Sequence, residues 1–133
     1  MPVTLYEKDF VSRREEVTAV VNEALATLEE NGVIDRGDHF GAHLCLEEAL
    51  VNAVVHGNKE NPDLRVRLEI LQNNGSYILR IRDEGGNFDP DAVRLPEQPT
   101  PGGRGVCLMK HFMERVSYDS ACHCLELVFR PKQ

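Results

Sequence analysis

The sequence predicts an α+β fold: a two-layer α/β sandwich whose mostly antiparallel sheet is covered on one face by helices. Three observations predict it. Apolar residues recur at helical spacing early in the chain, at Val17, Val20, Val21, Ala24, Leu25 and Leu28. The period then changes to strand alternation in RVRLEIL (65–71) and YILRIRD (77–83). Finally, the elements read in the order β-α-α-β-β-loop-α-β-β, which places the helices on one face of a largely antiparallel sheet.

Taken in order, VTLYEKDF (3–10) alternates loosely and reads as an opening strand. Ser12 followed by Glu15 is a capping-box signature for the first helix, which NGVIDRGD (31–38) ends. A second helical pattern runs from about His39 to His56 and stops at Gly57, a natural position just past a helix end. In the following pair of strands, Val66, Leu68 and Ile70 share a face, and Asn74-Gly75 is a strong hairpin signal. From Gly85 to Gly105 the chain holds five of its ten glycines and four of its seven prolines. A loop that long inside a compact domain is usually functional. A short helix over VCLMKHFMER (106–115) and two strands near RVSYD (115–119) and CLELVFR (124–130) close the sequence.

Composition narrows the class of function. A chain of 133 residues, 41% hydrophobic and 28% charged, suits a single compact domain spanning 1–133. Its net charge of -7 argues against contact along nucleic-acid phosphates, which needs clustered Lys and Arg, but leaves a small nucleotide open. The start MPVTLYEKDF has neither a basic nor an apolar segment of a signal peptide. No apolar run approaches the roughly 20 residues of a membrane span. A cytoplasmic location is therefore expected. Cys45, Cys107, Cys122 and Cys124 form no CxxC pair and read as reduced, buried thiols. His43 with Cys45, and Cys122-His123-Cys124, are spaced too tightly for an ordinary structural zinc site.

The chemistry concentrates in three stretches. In EEALVNAVVHGN (47–58), Glu48, Asn52 and His56 recur every four residues and so lie nearly above one another on a helix. An Asn carbonyl oxygen suits a hard cation such as Mg²⁺ held mainly by phosphates and water, and an acid one turn earlier can accept a proton. A polar stripe on a half-exposed helix gives the same pattern. In IRDEGGNFDPD (81–91), a strand delivers Asp83 into a Gly85-Gly86 turn. Such a carboxylate can accept a hydrogen bond from an exocyclic amine, while an Asp-Gly turn without a ligand is also common. In PGGRGVCLMK (101–110), Gly102, Gly103 and Gly105 lead into a helix, where backbone N–H groups favour anions. Each signal is weak alone.

Together, and in this order, ExxxNAxxHG, DxG and GGRG resemble the N, G1 and G2 boxes of the GHKL (Bergerat-fold) ATPases. Within that superfamily, EEALVNAVVHGN, RDEGGNFDP and GGRGVCLMKHFMERVSY resemble the bacterial anti-sigma factor serine/threonine kinases, over nearly the whole chain. The resemblance implies ATP and Mg²⁺ as cofactors. It implies Asn52 as the Mg²⁺ ligand, Glu48 as general base with Glu47 a bystander, and Asp83 on the adenine amine with Gly85 allowing close approach. Gly103 and Gly105 would line the phosphates beneath a lid of about residues 89–102, and Arg104 between them could contact phosphate or a protein partner. It also implies a STAS-domain anti-anti-sigma substrate, a sequestered sigma factor and a homodimer, with no direct contact to nucleic acid or membrane. The chain departs from the fuller DxGxG pattern by carrying Asn87 at the second glycine, has a short lid, and supplies no hydroxyl at Cys124 and its neighbours in CLELVFR. A non-catalytic nucleotide-binding module that sequesters a sigma factor or another protein, and a stand-alone ATPase, are the alternative readings.

Overall fold

The computed structural model describes residues 2–85, 113–119 and 121–130. The elements are β1 (Val3–Val11), α1 (Arg14–Glu30), α2 (Arg36–Val51), a π-helical turn (Asn52–Gly57), β2 (Arg65–Asn73), β3 (Ser76–Arg82), β4 (Arg115–Asp119) and β5 (Cys124–Phe129). The strands form one five-stranded sheet in the order β1-β2-β3-β5-β4. Every neighbouring pair is antiparallel. The α+β class and the antiparallel sheet are thus as the periodicity predicts. The expected lid and the helix at VCLMKHFMER, apart from its last residues, lie outside the described residues, as do Gly103, Arg104, Gly105, Asn87 and Cys107.

One face of the sheet carries the helices. The six apolar residues read from the spacing of α1 are its buried ones. Leu46, Leu50 and Val54 from the second helical stretch, and Val66, Leu68, Ile70, Ile81 and Leu127 from the strands, are buried in the same core. Burying one such side chain contributes about 1.5–3 kcal/mol, so this shared cluster is the main force holding helices to sheet. The opposite face is charged and paired across strands. Arg67 donates to Asp9 and Glu7 on β1, and Arg80 to Glu126 on β5. Between β2 and β3, Asn74 and Gly75 have φ of 51° and 81°, with Asn73 paired to Ser76. Only residues that tolerate positive φ close a two-residue hairpin this way.

Three local expectations are corrected. Ser12 is not a helix cap: the N-cap of α1 is Arg13, with no side-chain cap bond. The Ser12 amide instead donates to the Leu64 carbonyl, and its buried hydroxyl accepts from Asn58. Burial in a tertiary hydrogen bond outweighed the local capping option. The second helix is not one α-helix to His56. It begins at Arg36, capped by the Asp35 side chain on the Asp38 amide, and widens to π geometry after Val51. The thiols are not all buried. Cys45 and Cys124 are, and burial pushes them up to about 12 and about 11, whereas Cys122 is exposed in the β4–β5 turn.

Candidate functional site

The site is built where the π turn meets the end of β3. In a π turn the backbone bonds reach five residues back rather than four, and Asn58 N donates to Ala53 O at 2.8 Å in that register. The wider turn alters how residues stack along the helix. It separates the row of Glu48, Asn52 and His56: Glu48 is half-buried, Asn52 is 2% exposed and His56 faces solvent. His56 thus leaves the row that the sequence spacing suggests. Such π insertions are rare and often mark functional sites.

Asn52 is the costly residue in this turn. Its Nδ2 is buried and has no hydrogen-bond partner among the described residues. A buried unsatisfied donor costs about 1–3 kcal/mol, so stability alone does not account for an amide here. Asn52→Leu, similar in size and apolar, is therefore expected to melt higher than the unmodified protein in the absence of any ligand. Thermal denaturation checks this. A clear loss of stability would mean that Asn52 is a structural residue.

Glu48 lies one turn earlier. Desolvation by its surroundings, and then the negative charge of neighbouring Glu47, raise its pKa above the ordinary glutamate value. Glu47 itself is exposed, with Oε2 3.4 Å from His43 Nδ1. Of the two adjacent acids, Glu48 is the half-buried one, and this desolvation favours its protonated form.

Asp83 follows directly on β3 and is 6% exposed. Its amide donates to His123 O at 3.1 Å, which ties it to the β4–β5 turn. Its Oδ1 accepts from the Gly85 amide at 3.2 Å. Its other side meets Gly57. A Cβ added to Gly57 would stand 2.4 Å from Asp83 Oδ2 and 2.6 Å from Cγ. The helical stretch ends at Gly57, as the sequence predicts, but Gly57 does not have positive φ, so its glycine identity serves the Asp83 contact. Gly85 is crowded in turn, since a Cβ there would lie 2.9 Å from Leu64 Cδ1 and 3.3 Å from Gly57 O. The two glycines let the helix end and the strand end touch, which brings the Asn52 turn up against Asp83.

Of the residues expected in the site, Glu48, Asn52, Asp83 and Gly85 are described and lie on these two neighbouring elements. Sequence reasoning missed Asn58, which is buried and bonded to the segment after Asp83. The only sequence signal for it was its place directly after His56-Gly57.

Helices on one face of an antiparallel sheet, with an acid and an amide on one helical stretch and a strand-end aspartate against it, fit the class of α+β ATPase domains. The chain belongs to the histidine kinase-like ATPase domain family, which it matches over residues 10–129. It is 34% identical over 112 residues to the serine/threonine-protein kinase BtrW of Bordetella bronchiseptica, a match covering 77% of this chain and 79% of that protein. It is 35% identical over 82 residues to the anti-sigma F factor of Bacillus velezensis, and 34% over 82 residues to that of Bacillus subtilis. These latter matches cover 57% of this chain and 56% of each relative. The resemblance to the anti-sigma factor kinases is borne out. Among the described residues, no helix is long and apolar enough to cross a membrane.

Proposed function

We propose that this chain is an ATP- and Mg²⁺-dependent protein serine/threonine kinase of the anti-sigma factor type. Its substrate in this reading is a STAS-domain anti-anti-sigma protein, and its second partner is a sigma factor that it sequesters. The observation that carries the reading is Asn52: an amide buried without a partner for its Nδ2 among the described residues, one helical turn from an acid whose pKa is raised. The names of the relatives, a serine/threonine-protein kinase and anti-sigma F factors, support the same reading.

The orphaned Nδ2 calls for an acceptor such as a phosphate or water oxygen, which leaves the amide's other atom, its carbonyl oxygen, as the ligand for a hard cation. Asn52 would hold Mg²⁺ through its neutral carbonyl oxygen, and the ion when bound supplies charge neutralisation at the phosphates. Asp83 accepts a hydrogen bond from the adenine amine, its carboxylate seated against Gly57. Glu48 accepts the proton of the attacking serine or threonine hydroxyl as its oxygen bonds to the γ-phosphorus and ADP departs. Gly103, Arg104 and Gly105 are assigned to the phosphates, and residues of about 89–102 to a lid, from the sequence motif. A homodimer and a single cytoplasmic domain over 1–133 belong to the same proposal.

Switching between partners requires that nucleotide change their relative affinities for the chain. This is tested by binding the cognate sigma factor and STAS protein in the presence of ATP and of ADP. A shift in preference of about tenfold, or 1.4 kcal/mol, is expected. Equal preference in both nucleotides would rule out the switch.

A further inference from the structure

Asn58 is a buried polar residue that the proposed chemistry does not use. It is 2% exposed. Its Nδ2 donates to Ser12 Oγ at 2.6 Å and to Arg65 O at 3.0 Å, while its Oδ1 accepts from the Glu84 amide at 2.8 Å. Swapping oxygen and nitrogen would set the oxygen against the Arg65 carbonyl and the NH₂ against the Glu84 N–H, so only this orientation satisfies its neighbours. One amide thus joins the end of β1, the end of the π turn, the start of β2 and the residue after Asp83.

We propose that Asn58 positions Asp83 for recognition of the adenine amine, an inference that rests on the nucleotide reading above. The geometry runs through a single peptide. Asp83 is fixed on its N-terminal side by the bond from its own amide to His123 O. On its C-terminal side the Glu84 amide is held by Asn58, and the Glu84 carboxylate in turn accepts from the Arg65 amide. Gly57, the residue before Asn58, packs against the Asp83 carboxylate, and a Cβ on Gly85 would lie 3.4 Å from Asn58 Oδ1. Asn58 therefore sets where the Asp83 side chain sits relative to the helix that carries Asn52 and Glu48. Its amide is bonded to the protein itself, at Ser12, Arg65 and Glu84, and it acts as a positioning residue. Ser12 shares the network without touching the Glu84 peptide, which makes it a control for stability alone.

The test compares ATP with inosine triphosphate, which has the same phosphates but a carbonyl in place of the exocyclic amine. Calorimetric titrations of both are made into the unmodified chain, Asp83→Ala, Asn58→Ala, Asn58→Asp and Ser12→Ala. Asn58→Ala is expected to lower the preference for ATP by about tenfold, the scale of one well-placed hydrogen bond lost, with inosine triphosphate affinity nearly unchanged. Asn58→Asp keeps an acceptor for the Glu84 amide but sets an oxygen against the Arg65 carbonyl, so it should lose stability while keeping more of the preference than Asn58→Ala, and Ser12→Ala should lose stability and keep the preference. A folded Asn58→Ala protein with an unchanged preference overturns the proposal. Should that variant fail to fold, hydrogen exchange at the Glu84 amide of the unmodified chain decides. Protection matching that of β3 supports the bond to Asn58, and exchange at the rate of an open amide overturns it. If the unmodified chain binds no ATP, or Asp83→Ala binds it equally well, the nucleotide reading itself fails, an outcome distinct from an intact site that is indifferent to Asn58.

Discussion

Glu48→Gln is expected to reduce phosphate transfer from ATP to protein by about 10²–10⁴-fold, the usual weight of a positioned general base, with ATP binding retained. The amide keeps the size of the carboxylate and removes its ability to take a proton. The pH dependence should agree. Desolvation, and then Glu47, raise the Glu48 pKa, so the acid limb of kcat should lie above the ordinary glutamate range. Glu47→Gln should move that limb downward by removing the second cause. The sign for stability is opposite to that for activity. A carboxyl whose folded pKa is raised stabilises the fold below its unfolded pKa, and that contribution is lost as pH rises through the folded value. At neutral pH Glu48→Gln should therefore melt at or above the unmodified protein, and the difference should shrink as pH falls into the carboxylate range. A variant that loses activity only by unfolding at neutral pH would argue that Glu48 is structural.

Gly57→Ala is expected to weaken ATP binding by about 10- to 100-fold, from the roughly 1–3 kcal/mol of strain that an overpacked methyl introduces. The new methyl would sit 2.4 Å from Asp83 Oδ2, closer than carbon and oxygen can approach. Either the aspartate or the π turn must shift, and both are parts of the proposed nucleotide site. Alanine suits a helix better than glycine by about 1 kcal/mol, so helix propensity alone predicts a gain. The alternative account of Gly57, a simple helix stop, predicts no effect on nucleotide. Calorimetry with ATP beside thermal denaturation separates these outcomes, and unchanged affinity in a folded Gly57→Ala protein would remove Gly57 from the site.

What was legible in the sequence was what local chemistry decides. The buried face of α1 follows from spacing alone, because a helix with six apolar residues on one stripe has one way to bury them. The β2–β3 hairpin follows from Asn74-Gly75, since few residue pairs accept positive φ twice in succession. Asp83 at a strand end and Glu48 with Asn52 on a helix were readable for the same reason. What was not legible depended on partners far along the chain. Ser12 offers a good helix cap by local rules, yet its hydroxyl is taken by Asn58, 46 residues away. The π turn leaves the apolar pattern intact and shifts only the register, so periodicity did not detect it. Gly57 looks like a helix stop until the Asp83 carboxylate is seen against it. For Ser12 the local rule held as a preference and a tertiary contact overrode it.

The most direct test of the proposed activity is transfer of labelled phosphate from γ-labelled ATP, with Mg²⁺, to a recombinant STAS-domain protein of the same genome. The account predicts label on a serine or threonine of that protein, dependent on Mg²⁺, abolished by Glu48→Gln and strongly reduced by Gly57→Ala at limiting ATP. ATP binding by a chain that labels none of its cognate STAS proteins would contradict it.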